Sequence, residues 1–329
     1  MDFIQAIILG LVEGITEYLP ISSTGHLILV QRWMGLHDYS DNAYAIVIQG
    51  GAVLAVLGLY RNRVQQMFLG ILGKHALGLK LAINLFIALL PAVVLGILFE
   101  EVIERELMHP RPIAFALVLG GILMLFVSRW QRNTYNDVEN NKQHIGIDQL
   151  TWKHSLFIGF LQCIAMWPGT SRSMMTIVGG MAVGLKPKHA AEFSFLLALP
   201  TLGGATIYKL LGSADKLSTM DRGSMILGII VAFIAAAIAI KWLVAYLSKH
   251  GLALFGWYRI ALAIIVAIYF WGDGNKESST LDGGIATSST VAPVTFENDH
   301  CPALPVAIQE TPSTITGPTA DCHLPVLIS

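Results

Sequence analysis

Long apolar runs alternate with short polar interruptions along most of this chain. Six runs approach the length that crosses a bilayer as a helix, about 20 residues. They are Ala43–Tyr60, Ala82–Phe99, Ile113–Ser128, Ala190–Tyr208, Met225–Leu247 and Leu252–Trp271, and they predict transmembrane helices. Two further apolar stretches are cut in the middle. Phe3–Leu19 and Gly25–Met34 flank Pro20-Ile-Ser-Ser-Thr, and Ser155–Trp167 and Met174–Leu185 flank Pro168-Gly-Thr-Ser-Arg-Ser. Each piece is too short and too polar to span simply. Proline stops a helix by removing an amide donor and clashing with the preceding turn. Each pair therefore predicts a re-entrant hairpin, whose turn must be covered by protein or water at membrane depth.

A hairpin followed by three spans occurs twice, over residues 1–130 and 150–271. The predicted fold class is an all-α polytopic membrane protein with an inverted-topology repeat. A hairpin returns to its starting side and three spans cross, so the second half begins on the opposite face. Such repeats bring a site to the bilayer midplane where the broken helices meet. Arg61, Arg63, Lys74, Lys80, Arg129, Arg132, Lys142, Lys153, Lys186, Lys188 and Lys249 fall on one side of this topology. Arg105, Arg111, Lys209, Lys216, Arg222 and Lys276, with Arg32 near the first hairpin, fall on the other. The richer side is cytoplasmic by the positive-inside rule. The first hairpin then enters from outside, and the acidic stretch Glu100–Glu106 is read as an external loop.

Composition supports the membrane class. Hydrophobic residues make up 54% and charged residues 13% of the 329 positions, against about 25% charged in soluble domains. The alternating pattern of a membrane barrel is absent, as is any basic stripe for nucleic acid. The first apolar run lacks a basic leader and carries Glu13 and Glu17, which argues against a cleaved signal. Cys163, Cys301 and Cys322 show no metal-ligand spacing. Cys163 reads as a small core residue. From Gly272 onward Gly, Ser, Thr and Pro dominate, so residues 1–272 read as one membrane domain and 273–329 as a disordered tail.

The two interruptions hold the candidate chemistry. Charged and hydroxylic groups at membrane depth are costly and mark functional sites by default. Glu13 and Glu17 are four apart and share a helix face, where two carboxylates repel unless a cation lies between them. Mg²⁺ or Ca²⁺, both oxygen-seeking, would suit that place; helix capping and water contact are the plainer alternative. Ser22-Ser23-Thr24-Gly25-His26 offers a serine and a histidine, either of which can act as nucleophile, and the histidine can also move protons. Pro168-Gly-Thr-Ser171-Arg172-Ser173 leads into a helix whose amide N–H groups and guanidinium fork suit phosphate. Gln49 and Glu192 are polar positions within apolar segments, suited to supporting contacts. Gln162 stands near the place that Glu13 holds in the first hairpin. In combination these groups suggest phosphoryl transfer on a lipid phosphate.

The stretches Glu13-Gly-Ile-Thr-Glu17-Tyr-Leu-Pro-Ile-Ser-Ser-Thr-Gly-His26 and Pro168-Gly-Thr-Ser-Arg-Ser-Met-Met-Thr176 resemble the two signature motifs of the undecaprenyl-diphosphate phosphatases of the bacitracin-resistance (BacA/UppP) type. Ile48-Gln49-Gly-Gly and Glu192–Pro200 also match, and the likeness runs from Phe3 to Trp271. The resemblance implies hydrolysis of undecaprenyl diphosphate to undecaprenyl phosphate and phosphate. It also implies a divalent cation, the bacterial cytoplasmic membrane, and a site open to its outer face. By motif position Glu13 and Glu17 would bind metal or diphosphate, and Ser23 and His26 would supply nucleophile and proton transfer. Ser171, Arg172, Ser173 and Thr176 would hold phosphate, with Ser22, Thr24 and Gln49 as further substrate-binding residues. The tail carries no family motif. A flippase or transporter built on the same repeat, and a non-catalytic antibiotic-binding protein, are the competing readings. A homodimer is left open.

Overall fold

A computed structural model describes residues 2–36, 43–136, 145–212 and 221–271 of the chain. Cys301, Cys322 and the expected tail lie outside the described residues. The described residues fall within one compact unit, Met1–Gly274. They form helices and turns, with an isolated bridge between Ile145 and Leu185.

The first hairpin is α1 (Phe3–Thr16) and α2 (Ser23–Trp33). Asp2 caps α1 in a reciprocal pair with Gln5, which satisfies two otherwise orphaned amide donors. Then come α3 (Ala43–Leu59), α4 (Arg61–Ile71), α5 (Ala76–Leu107) and α6 (Pro110–Asn136). The second hairpin is α7 (Trp152–Ile164) and α8 (Arg172–Ala182), followed by α9 (Pro187–Gly212), α10 (Arg222–Leu247) and α11 (Ala253–Trp271). Among the described residues five helices are long and apolar enough to cross a membrane: α5, α6, α9, α10 and α11. The sixth expected span, α3, is shorter and bends by 79° into α4. The chain is a multi-pass membrane protein.

Two sequence expectations are corrected. Arg61 and Arg63 belong to a helix, α4, rather than to a loop. Glu100–Glu106 are the last turns of α5, which runs eight residues past Phe99 to Leu107. Pro91 and Pro200 sit inside α5 and α9 without ending them. Membrane helices tolerate such prolines because neighbouring groups take over the freed carbonyls.

The helices approach through small residues, as expected where lipid provides no hydrophobic drive for helix association. A Cβ on Gly14 of α1 would lie 2.4 Å from the Ala232 carbonyl oxygen of α10, and one on Gly51 of α3 would lie 2.4 Å from that of Ile229. On the other side of the molecule, a Cβ on Gly159 of α7 would lie 2.5 Å from the Ala88 carbonyl oxygen of α5. Each hairpin's first helix therefore packs on a long helix of the opposite half. The central core gathers Tyr18, Phe193 and Phe195 with Leu196, Met174 and Ile177. Large apolar side chains such as Ile97, Phe126, Leu211 and Ile268 point outward, where a lipid-facing surface needs them.

Candidate active site

The two hairpin turns are built alike. Ser22 and Ser171 both occupy the left-handed region, at φ 73° and 74°. Both cap the helix that follows, accepting from the backbone N–H of Gly25 and Met174. Left-handed backbone is rare for a residue with a Cβ and clusters at functional sites. Here it reverses the chain so that the side chains of Ser23 and Arg172, the next residue in each hairpin, can meet.

They meet at Glu17. Ser23 Oγ donates to Glu17 Oε2 at 2.7 Å, and Arg172 Nη2 donates to Glu17 Oε1 at 3.1 Å. The Arg172 and Glu17 side chains are only 11% and 7% exposed, so each charge depends on the other for compensation. Arg172 Nη1 donates to the Ser194 carbonyl of α9 at 3.0 Å, and its guanidinium lies 5.8 Å from the centre of the Tyr18 ring. Its Nε is buried without a partner among the described residues. Tyr18 is itself fixed, donating its hydroxyl to the Ala52 carbonyl of α3.

Other expected site residues are nearby but engaged differently. Ser173 Oγ donates to the Tyr18 carbonyl at 2.6 Å, a direct bond from the second hairpin to the first. Thr176 Oγ1 contacts Ser194 Oγ at 2.6 Å and the backbone of Arg172 and Ser173. The Ser22 and Ser171 hydroxyls serve as caps, and Thr24 is half-buried in the first turn of α2. Gln49 accepts from Thr206 across α3 and α9. Glu192 faces away, taken up by Arg63 of α4 at 2.9 Å.

Glu13 is buried, its Oε2 has no hydrogen-bond partner among the described residues, and it lies within electrostatic reach of Glu17 and Arg172. An orphaned carboxylate oxygen in such a place suits a cation. Among the described residues no three His, Cys, Asp or Glu side chains gather as a metal site. Any cation would therefore rest on few carboxylates, with other oxygens supplied by substrate and water, which is how Mg²⁺ is usually held. Gln162 is buried with both amide atoms unpartnered.

His26 lies to one side of this cluster. Its Nδ1 is 2.7 Å from the Ser22 carbonyl oxygen, and its Nε2 is 2.7 Å from the Tyr258 hydroxyl of α11. A carbonyl only accepts, so Nδ1 carries the proton and Nε2 accepts from Tyr258. Next to Tyr258, Arg259 is fully buried and donates from Nη2 to the carbonyls of Gly169 (2.7 Å) and Ala116 (3.2 Å). Sequence reasoning passed over both residues by treating Leu252–Trp271 as a plain span. A charged residue seven positions inside an apolar run was the available signal.

A helical membrane protein with acids, a serine and an arginine converging from two broken hairpins defines a class: one handling a polar, anionic headgroup within the bilayer. The comparisons with known proteins are specific about which. Residues 6–265 match the family model for bacitracin resistance protein BacA, and the chain belongs to that family. It is 44% identical over 265 residues to an undecaprenyl-diphosphatase of Nitrosomonas eutropha, covering 80% of this chain and 93% of that protein. A Pseudomonas putida undecaprenyl-diphosphatase is 41% identical over 286 residues, covering 86% of this chain and all of the relative. One from Bordetella avium is 38% identical over 272 residues, covering 81% and 96%.

Proposed function

We propose that this protein hydrolyses undecaprenyl diphosphate to undecaprenyl phosphate and inorganic phosphate, recycling the lipid carrier for cell-wall synthesis. The observation that carries the reading is Ser23 bonded to a carboxylate that is itself paired to Arg172. In the first step Ser23 Oγ attacks the terminal phosphorus and passes its proton to Glu17. The bridging P–O bond breaks and undecaprenyl phosphate leaves. Arg172 and the amide groups at the start of α8 hold the terminal phosphate, as forked and helix-end donors do. In the second step water attacks the phosphoserine and gives a proton to the Tyr258 hydroxyl, which passes its own to His26 Nε2. Phosphate leaves, and Ser23 recovers its proton from Glu17. A divalent cation held by Glu13 and Glu17 would neutralise charge on the diphosphate.

The finer architecture belongs to the same reading. An inverted repeat is supported by the matched Ser22 and Ser171 turns and by the crossed packing of α1 on α10 and α7 on α5. With the positive-inside orientation, the site opens toward the outer face of the cytoplasmic membrane. An apolar cavity of about 800 Å³, lined by Val53, Leu57, Leu199, Gly203, Gly204 and Ile229 among others, lies along α3, α9 and α10. It suits part of a prenyl chain.

Release of inorganic phosphate from undecaprenyl diphosphate by the purified protein, with and without EDTA, tests the proposal. The expected result is phosphate release that EDTA abolishes and Mg²⁺ or Ca²⁺ restores. Intact lipid diphosphate with wild-type protein and cation would overturn the enzyme reading in favour of a flippase. Release that EDTA leaves unchanged would remove the cation alone.

A further inference from the structure

Helix α11 reaches both hairpins through two consecutive side chains. Tyr258 lies outward on the helix, yet its hydroxyl turns back to His26 Nε2 at 2.7 Å. Its ring stacks on the imidazole at 6° between planes, with centroids 5.6 Å apart. In an apolar surrounding a phenol hydroxyl without a partner is costly, and His26 supplies the acceptor. The Nδ1–H bond to the Ser22 carbonyl fixes the tautomer, and the bond from Tyr258 fixes the ring plane and occupies the Nε2 lone pair. Among the described residues Tyr258 is the hydrogen-bond partner that reaches His26 from outside its own hairpin.

Arg259 does the corresponding work on the second hairpin. Its bond to the Gly169 carbonyl grips the turn just before Ser171 and Arg172, where Gly169 holds φ at +93°. Only Nη2 is used, while Nε and Nη1 are buried without a partner among the described residues; so costly a guanidinium needs a reason beyond packing. The helices are shaped for it. A Cβ on Gly120 of α6 would lie 2.3 Å from Arg259 Nη2, and one on Gly121 would lie 2.8 Å from the Gly256 carbonyl oxygen. Only glycine at 120 leaves room for the guanidinium between α6 and the turn.

We propose that Tyr258 and Arg259 are positioning residues of the reaction, a two-residue clasp on one helix. Tyr258 holds the His26 ring plane and is the hydroxyl through which Nε2 takes a proton, and Arg259 holds the 168–173 turn in the shape that presents Arg172 and the α8 amides. This rests on the phosphatase reading, and it explains how a helix outside both hairpins keeps the two half-sites in register.

The test uses the full-length protein in detergent. Selective ¹⁵N-histidine labelling reads the tautomer without turnover, the His26 signals being those missing from His26→Ala. The expected result is an Nδ1-protonated His26 in wild type whose Nε2 signal shifts in Tyr258→Phe as its hydrogen bond is lost. The same variant should lose about tenfold in kcat with little change in KM, the scale of one lost orienting hydrogen bond. Adding it to His26→Ala should cost nothing further, because Tyr258 acts through the histidine. A Tyr258→Phe protein with an unchanged Nε2 signal, with unchanged kcat, or with an equal loss in the His26→Ala background overturns the Tyr258 half. Full activity of His26→Ala would instead remove the role given to His26, while the tautomer measurement would still stand. For Arg259, Arg259→Lys should raise KM about tenfold, because an ammonium would not bond both the Gly169 and the Ala116 carbonyl as Nη2 does. Gly120→Ala, which keeps Arg259 but displaces it, should do the same, so a folding failure of one variant leaves the other. Unchanged KM in Gly120→Ala overturns the Arg259 half.

Discussion

The two hairpins share a backbone and divide the chemistry. Each is a short helix, a proline-bearing turn, a serine at φ near 74° and a second short helix capped by that serine. The first carries Glu13, Glu17, Ser23 and His26. The second answers with Gln162, Arg172, Ser173 and Thr176. Where the first has a buried acid the second has a neutral amide, and where the second has a guanidinium the first has a hydroxyl. A symmetric pair of turns would bind a ligand equally from both sides, as suits a carrier. In the proposed reaction this pair instead sets a nucleophile and its base on one turn and the anion grip on the other. The single ion pair between Glu17 and Arg172 joins them.

That comparison can be pushed until it fails. The largest expected effect comes from removing the joint. Arg172→Ala should lower phosphate release about a hundredfold or more, about 2.7 kcal/mol of transition-state stabilisation, since a preorganised charge at the reacting phosphate is lost. Adding Glu17→Gln to it should recover thermal stability by removing the stranded buried charge, yet recover no activity. Recovery of activity would show the pair to be structural. A second variant makes the hairpins more alike. Gln162→Glu places an acid where neither amide atom now has a partner. It should destabilise the protein by about 2–3 kcal/mol, the scale of a buried polar group left unsatisfied, as read by thermal unfolding in detergent. A stable and active variant would mean the second hairpin tolerates the first one's chemistry. The smallest effect lies outside both hairpins. Gly203→Leu projects into the apolar cavity, where a Cβ meets only Val53 at 3.6 Å. It should raise KM a few-fold, about 1 kcal/mol, for the long prenyl substrate and leave a short prenyl diphosphate unaffected.

Much of this organisation was visible in the sequence, for a physical reason. Prolines and polar side chains in the middle of apolar runs are costly at membrane depth, so Pro20, Glu17, Pro168 and Arg172 mark both hairpins without any structure. What the pattern could not show was pairing. Glu192 looked like a supporting acid of the site, and only the fold reveals Arg63 beside it, on a helix that its charges had disguised as a loop. Gln49 likewise finds Thr206 rather than the cluster. Ser23 and His26, three apart, invited a nucleophile–base partnership, but the structure gives Ser23 to Glu17 and His26 to Tyr258. Arg259 was legible in principle by the same cost argument as Arg172. A lone charge in an otherwise uniform span was outweighed by the hydropathy around it.

The central claim is that the two turns act as one reaction centre, and a double-mutant cycle across them tests it most directly. The measurement is kcat/KM for phosphate release from undecaprenyl diphosphate by wild type, Ser23→Ala, Arg172→Ala and the double variant. Groups that work as a unit lose nearly everything when either is removed. The double variant should therefore be within a few-fold of the worse single one. Losses that multiply in the double variant, or a Ser23→Ala protein as active as wild type, would contradict the account.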